Sequence, residues 1–386
     1  MLNDVYDLLS CFFVFVSGLM IVSSFRNFVG IKLYRAWVLY IWHSIFCIIY
    51  ASYILKFGGD AFAYYEKSLS FKLGGYVPNG YFGTPAVVKI LIPFTNYFSF
   101  SFLASCLVFN IFGSIGLVFL DASIKNVVPD SSTKVKQLAS LVVFLPSISF
   151  WSSGVGKDAI SFMSVCLVCW AVMSIKKRFL LLVFSILIML LVRPHIAGVI
   201  TIALLFSYFF NKELPLITKV FLISFSFLCI SFLIPFSLKY AGIDGGVSVS
   251  SVTDYVDHRQ TLNSQGGSSI DISSMSFLEQ VFSYLYRPLP FDAHNLTALH
   301  SSLENVFILI ITMFSFFLLF KIKLSNIDFK FPVLFHFSYI IGGLSILAST
   351  TANLGIAVRQ KWMIMPFLLL ILFSILNGHK KENFNE

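Results

Sequence analysis

Long apolar runs, separated by short polar stretches, recur along almost the whole chain and constrain its fold more than any other feature. The longer runs reach the roughly 17–25 residues that cross a hydrocarbon core. Only 12% of the 386 residues are charged and 58% are hydrophobic. Soluble domains carry about a quarter charged residues, so this chain could not cover a soluble core with polar surface. Its 45 phenylalanines suit lipid-facing helices. The expected fold is all-α, a polytopic transmembrane helical bundle of about 11 spans with one large outer loop.

The expected spans lie near residues 6–25, 37–55, 98–120, 137–150, 160–175, 179–192, 196–210, 216–236, 301–320, 331–349 and 362–376. The stretch 179–210 is too long for one span and is interrupted by Arg193, Pro194 and His195, which predicts a helical hairpin with its tip at the proline. The first run has no basic flank before it and no small-residue cleavage pattern after it, and reads as a true span rather than a signal peptide. The whole of 1–386 is expected to be one integral membrane domain. All six cysteines fall inside apolar runs, so no structural disulfide is expected. Cys166 and Cys169 form a CxxC in mid-span with no second ligand pair, and read as packing residues.

The net charge of +9 would suit nucleic acid binding, but the basic residues sit in short clusters between apolar runs. That distribution reads as topology. One side collects Arg26, Lys32, Arg35, Lys125, Lys134, Lys136, Lys176, Lys177, Arg178, Lys212, Lys219, Lys321, Lys323, Lys330, Lys380 and Lys381. The positive-inside rule makes that side cytoplasmic. The other side carries most of the acidic residues and two long loops, about 56–96 and about 237–300. Within the second loop, 241–267 is rich in Gly, Ser and Asp and is expected to be mobile. Residues 276–286 are amphipathic and are expected to lie as an interfacial helix over the site.

Ionisable groups near bilayer depth cost several kcal/mol unless paired or used, and here they gather on the outer side. Lys157 and Asp158 follow a short apolar run; Arg193 and His195 flank a proline; Arg287 precedes another proline. His300 and Glu304 share a helix face, Arg359 stands beside the last span, and Asp60 follows Gly58 and Gly59. Lys56 and Lys361 read as interfacial anchors. His43 and His336, inside spans and without nearby acids, read as core histidines. Arginine binds phosphate oxygens through two parallel hydrogen bonds. Lys157, Arg193, His195, Arg287 and Arg359 are therefore the expected pyrophosphate-binding residues, with the four Lys and Arg side chains expected to converge on one outer cavity. Asp60, Asp158 and Glu304 are the candidate catalytic carboxylates. No metal-ligand spacing is present in the loops, so no metal is expected.

Three segments resemble the Wzy-type O-antigen polymerases of bacterial surface-glycan clusters. They are 150–158 (Phe-Trp-Ser-Ser-Gly-Val-Gly-Lys-Asp), Tyr286-Arg287-Pro-Leu-Pro with Glu304 downstream, and 353–361 (Asn-Leu-Gly-Ile-Ala-Val-Arg-Gln-Lys). Chain size, span number and the late outer loop are also similar. Some members place a glycine eleven residues after an outer-loop arginine; here Leu204 and Ile270 stand at that distance from Arg193 and Arg259. The resemblance implies a metal-independent membrane glycosyltransferase of a bacterial inner membrane, with its active side periplasmic and no cofactor. It would move a growing glycan from undecaprenyl pyrophosphate onto the next repeat unit in lipopolysaccharide-type synthesis. Implied partners are undecaprenyl-pyrophosphate-linked oligosaccharides, membrane lipid, a chain-length regulator and a flippase, but no nucleic acid. Two other readings stay open: a flippase or transporter of lipid-linked glycan, and an oligosaccharide ligase or acyltransferase using His195 or His300 as base.

Overall fold

A computed structural model describes residues 4–72, 74–210, 260–261, 268–293 and 295–382, with 217, 220 and 224 as isolated positions. Among these residues the regular structure is helical, apart from a single bridge between Ser269 and Asn353. The chain packs as two compact units, Met1–Arg193 and Pro194–Glu386.

The first unit contains α1 (Val5–Ser24), α2 (Leu33–Phe57), α3 (Asp60–Lys72), α4 (Thr84–Ile92), α5 (Phe102–Val127), α6 (Thr133–Val142), α7 (Pro146–Ser152), α8 (Lys157–Val172) and α9 (Ile175–Val192). Side-chain caps set several starts. Asp4 accepts the Asp7 amide at 2.8 Å, and Ser101 and Ser132 accept the amides of Ala104 and Val135. Gly58 and Gly59, with φ of 77° and 145°, end α2 and turn the chain into α3. Helix α5 is buried along almost its whole length and packs against α1, α2 and α8; α8 in turn packs against α9.

A polar network pins the middle of this unit. His43, Asn110 and Ser44 are buried, as is Ser152. His43 Nδ1 lies 2.5 Å from Asn110 Oδ1 and its Nε2 2.9 Å from Ser152 Oγ, while Asn110 Nδ2 donates to Ser44 Oγ at 2.9 Å. Gly113 makes this approach possible, because a Cβ there would fall 2.0 Å from the Ser152 carbonyl oxygen.

The second unit contains α10 (Pro194–Phe209), α11 (Phe277–Tyr286), α12 (Leu296–Leu319), α13 (Val333–Thr350), α14 (Leu354–Gln360) and α15 (Met365–Glu382). Here α10 packs on α13, α12 on α15, and α11 against α12, α13 and α14. Asn295 caps α12 by accepting the Ala298 amide, and Asn353 caps α14 by accepting the amides of Gly355 and Ile356. Helix α11 begins with a reciprocal cap between Ser276 and Glu279. Its amphipathic pattern holds, but its Tyr284, Leu285 and Tyr286 side is buried against other helices, while Phe277, Leu278, Glu279 and Phe282 are exposed.

Among the described residues six helical segments are long and apolar enough to cross a membrane: Val5–Val29, Leu33–Phe57, Phe102–Val127, Thr133–Ser152, Thr297–Leu319 and Val333–Thr350. The pair Leu354–Met363 and Met365–Gly378, bent by 64°, makes seven if counted as one broken span. Six or seven of the eleven expected spans thus meet this length and composition among the described residues. Helices α8 and α10 have 16 residues each, about 24 Å at 1.5 Å per residue, short of a full hydrocarbon core. Helix α9 carries Lys176, Lys177 and Arg178 in its first turn. The run 216–236, like most of the loop 237–300, lies outside the described residues apart from single positions. The outward faces of α1, α2 and α12 present Phe12, Phe13, Ile41, Ile45, Phe314 and Phe316, an apolar surface that lipid can cover and water cannot.

Candidate functional site

The first unit has a differently charged cluster at each end of α5. At the C-terminal end, Asp121 is fully buried and takes Arg35 through Nε (3.3 Å) and Nη2 (2.7 Å) as well as Lys125 Nζ (2.7 Å). Arg35 also donates to the Ser140 carbonyl at 3.1 Å and lies over the Phe144 ring. At the N-terminal end, Phe100, Phe102 and Leu103 share an apolar core with Val155, Ala159 and Val192, beside which Lys157, Asp158 and Arg193 stand.

Arg193 ends α9, and Asp158 is the second residue of α8. The pairing of these antiparallel neighbours brings the two side chains together: Arg193 Nη2 donates to Asp158 Oδ1 at 2.5 Å. Asp158 also lies in a helix's first turn, where the helix dipole favours negative charge. The Arg193 side chain is 8% exposed, and its Nε is buried with no hydrogen-bond partner. A guanidinium carries five donors, and a buried donor left unmade costs about 1–3 kcal/mol. Gly154 fixes the approach of the preceding loop, since a Cβ there would fall 1.9 Å from the Tyr50 ring. Lys157 is half-buried and adjoins Asp158 in the chain. Asp60 is exposed in the first turn of α3.

In the second unit the ionisable residues gather where α11, α12 and the break between α14 and α15 meet. Arg287 is held by Asp292 through Nε (3.0 Å) and Nη2 (2.6 Å), and Asp292 also accepts the Leu289 amide at 2.8 Å. This bond with Arg287 holds the Asp292 carboxyl below its ordinary range, and it raises Arg287 in return. Glu304 is 6% exposed and pairs at 3.0 Å with His300 Nε2, one turn earlier on α12 and largely exposed. Lys361 is completely buried. It donates to Asn305 Oδ1 and, at 3.4 Å, to the Leu285 carbonyl. Asn305 Nδ2 donates to the Pro288 carbonyl at 2.9 Å. Arg359 is half-buried on α14, and His195 is half-buried in the first turn of α10.

Within the first unit, then, the fold joins Asp158 and Arg193, with Lys157 alongside. Within the second, Glu304 pairs with His300, Arg287 with Asp292 and Lys361 with Asn305. Arg193 and Arg287 each hold a carboxylate. One expectation changes. Lys361 is no interfacial anchor: the helix break turns its side chain into the protein, where Asn305 receives it. Asn305 and Asn110 were also missed, and the signal available was a lone amide inside an apolar run, whereas His43 is the core histidine expected. A 360 Å³ cavity is lined by Gln260, Thr261, Ser269–Ile272 and Ala352, and none of the expected site residues lines it. Among the described residues no three His, Cys, Asp or Glu side chains gather as a metal site.

Comparison of the chain with protein families, curated proteins and solved structures finds no match.

Proposed function

We propose that the chain is a membrane glycosyltransferase that polymerises lipid-linked oligosaccharide repeat units at the outer face of a bacterial inner membrane. The growing glycan is transferred from undecaprenyl pyrophosphate to the next repeat unit. The observation that carries this reading is Arg193: a buried guanidinium beside Lys157, at the end of apolar helices, with an unused buried donor. A pyrophosphate oxygen supplies the missing acceptor, and the two cations stabilise the charge that develops as pyrophosphate leaves. Asp158 orients the guanidinium rather than accepting a proton. Glu304, a candidate carboxylate of the second unit, is buried and paired with His300.

A second reading has its own support. Transporters build substrate sites at broken transmembrane helices, and Lys361 is buried at the break of a bent helix pair here. Deletion of the chain in its host separates the two. Single repeat units on the lipid anchor, exposed outside, support the polymerase; units trapped on the cytoplasmic face support the flippase and defeat the polymerase reading.

A further inference from the structure

The 360 Å³ cavity of the second unit is assembled from three separate stretches of chain, 260–261, 269–272 and Ala352. Residues 268–272 form an extended wall along the connection between α13 and α14. The Ile270 amide donates to the Ala352 carbonyl at 3.0 Å, and the Leu354 amide to the Ser268 carbonyl at 2.9 Å, on either side of the bridge between Ser269 and Asn353. The far end of this wall is tied to α11, where Gln280 Nε2 donates to the Ile272 carbonyl at 2.9 Å. Gln260 is held in turn at the end of α13, its Nε2 donating to the Ser349 carbonyl at 2.9 Å. A wall fixed by its own hydrogen bonds spares a ligand the cost of ordering it.

The lining is mostly polar. Ile272 and Ala352 supply buried apolar surface, while Thr261, Ser269 and Asp271 are exposed and Gln260 is half-buried. Gln260 spends one amide donor on Ser349, and an amide has a second donor and a carbonyl oxygen to offer. Ser273 donates to Asp271 Oδ1 through its amide at 3.0 Å and its hydroxyl at 2.5 Å, and these bonds hold the carboxyl below its ordinary range. A carboxylate has about four acceptor sites, so it can take further donors. Among the described residues no Lys, Arg or His lines the cavity. A phosphate there would meet the charge of Asp271 with no cation to offset it. Pockets for apolar ligands are lined mainly by hydrophobic and aromatic side chains, and no aromatic ring lines this one. What fits is a neutral, compact ligand dense in hydroxyls, each both donor and acceptor. The volume has room for roughly one or two sugar rings, at the lower end of the range for small-ligand sites.

Resting on the glycosyltransferase reading, we propose that this cavity is a sugar-binding subsite, in which the second unit grips a neutral sugar of the glycan through Asp271, Gln260 and Thr261, apart from the glycan's phosphates. The 18 residues of α13 separate it by about 27 Å from the loop that carries Lys321, Lys323 and Lys330. The positive-inside rule makes that far end the outer one, where the glycan is handled.

Binding to the purified full-length protein in lipid nanodiscs tests this without turnover. The probe is the host's own repeat-unit oligosaccharide, freed of lipid and pyrophosphate, titrated by calorimetry. It should bind the wild-type protein, and an excess of inorganic pyrophosphate should not displace it. Asp271→Asn keeps an oxygen for Ser273 but removes the charge, and should weaken binding about tenfold. Ser269→Trp fills the cavity from an exposed position and should abolish binding, with the melting temperature checking that the variant folds. Thr261→Trp, at a second exposed position, replaces it if Ser269→Trp does not fold. No binding to wild type at millimolar concentration, displacement by pyrophosphate, or unchanged affinity in Asp271→Asn and the tryptophan variant each overturns the subsite. Failure of the transferase reading looks different: a deletion strain that still elongates its glycan defeats that reading, while oligosaccharide binding lost in the variants still marks a sugar site. A deletion strain left with single repeat units, together with a protein that binds no free oligosaccharide, removes the subsite and leaves the transferase reading in place.

Discussion

The two ends of the first unit hold the same chemical pair in two different conditions. Around Asp121 the partners are several: the carboxylate takes two cations, and Arg35 also meets a carbonyl and a ring face. Around Arg193 they are not, since one donor meets Asp158 and Nε meets nothing. A saturated buried pair is a structural rivet, and anything bound there would have to displace a partner. An unsaturated one carries a stored cost that a ligand can relieve. The contrast teaches more than burial does, because both arginines are mostly buried.

The largest expected effect comes from breaking the saturated end. Asp121→Ala leaves Arg35 buried without its partner, and removal of one member of a buried pair costs about 3–5 kcal/mol. Folded protein in the membrane should fall sharply, as measured by fluorescence-detected size-exclusion chromatography. Next comes Arg193→Lys, which keeps a charge for Asp158 but removes the fork. It should fold at near-normal levels and lose about 100-fold in elongation, in line with the removal of one transition-state donor. Arg35→Lys should do the reverse at smaller scale, lowering stability by about 1–2 kcal/mol through lost hydrogen bonds while elongation per molecule stays normal. Equal effects of the two Arg→Lys substitutions on elongation per molecule would erase the comparison.

The smallest effect belongs to the Arg287–Asp292 turn of the second unit, a pair that resembles the saturated end. Arg287 depresses the Asp292 carboxyl, so the folded form binds that proton less readily than the unfolded chain does. The resulting stabilisation is complete above the ordinary carboxylate value near 3.9 and is lost as pH falls through the lower folded value. Hydrogen exchange of the 287–292 turn, corrected for intrinsic rates, should accelerate from pH 5 to pH 3. Asp292→Asn should abolish that dependence. An unchanged turn at pH 3 in the native protein would mean that neighbouring packing, not the ion pair, holds it.

Much of this was legible in the chain. Runs of apolar residues announce helices, and the break at Arg193-Pro194 falls where proline can only begin a helix. The i, i+4 spacing of His300 and Glu304 predicts their contact. Span number was less legible, because hydropathy counts apolar residues and not helix length. Helices α8 and α10 are as greasy as true spans but too short to be counted as crossings.

Composition and periodicity determined that this chain is helical, apolar outside as well as inside, and charged at the helix ends. Those are local properties, set by backbone hydrogen bonding and by the cost of exposing polar groups to lipid. Which carboxylate meets which cation was decided only by tertiary structure. Asp158 and Lys157 are sequence neighbours, yet Arg193 reaches Asp158 from 35 residues away because α8 and α9 pack side by side. Lys361 looks like any interfacial lysine until the bend after α14 buries it against Asn305, 56 residues earlier. Pairing across such distances depends on how helices dock, and the one-dimensional pattern holds no record of that.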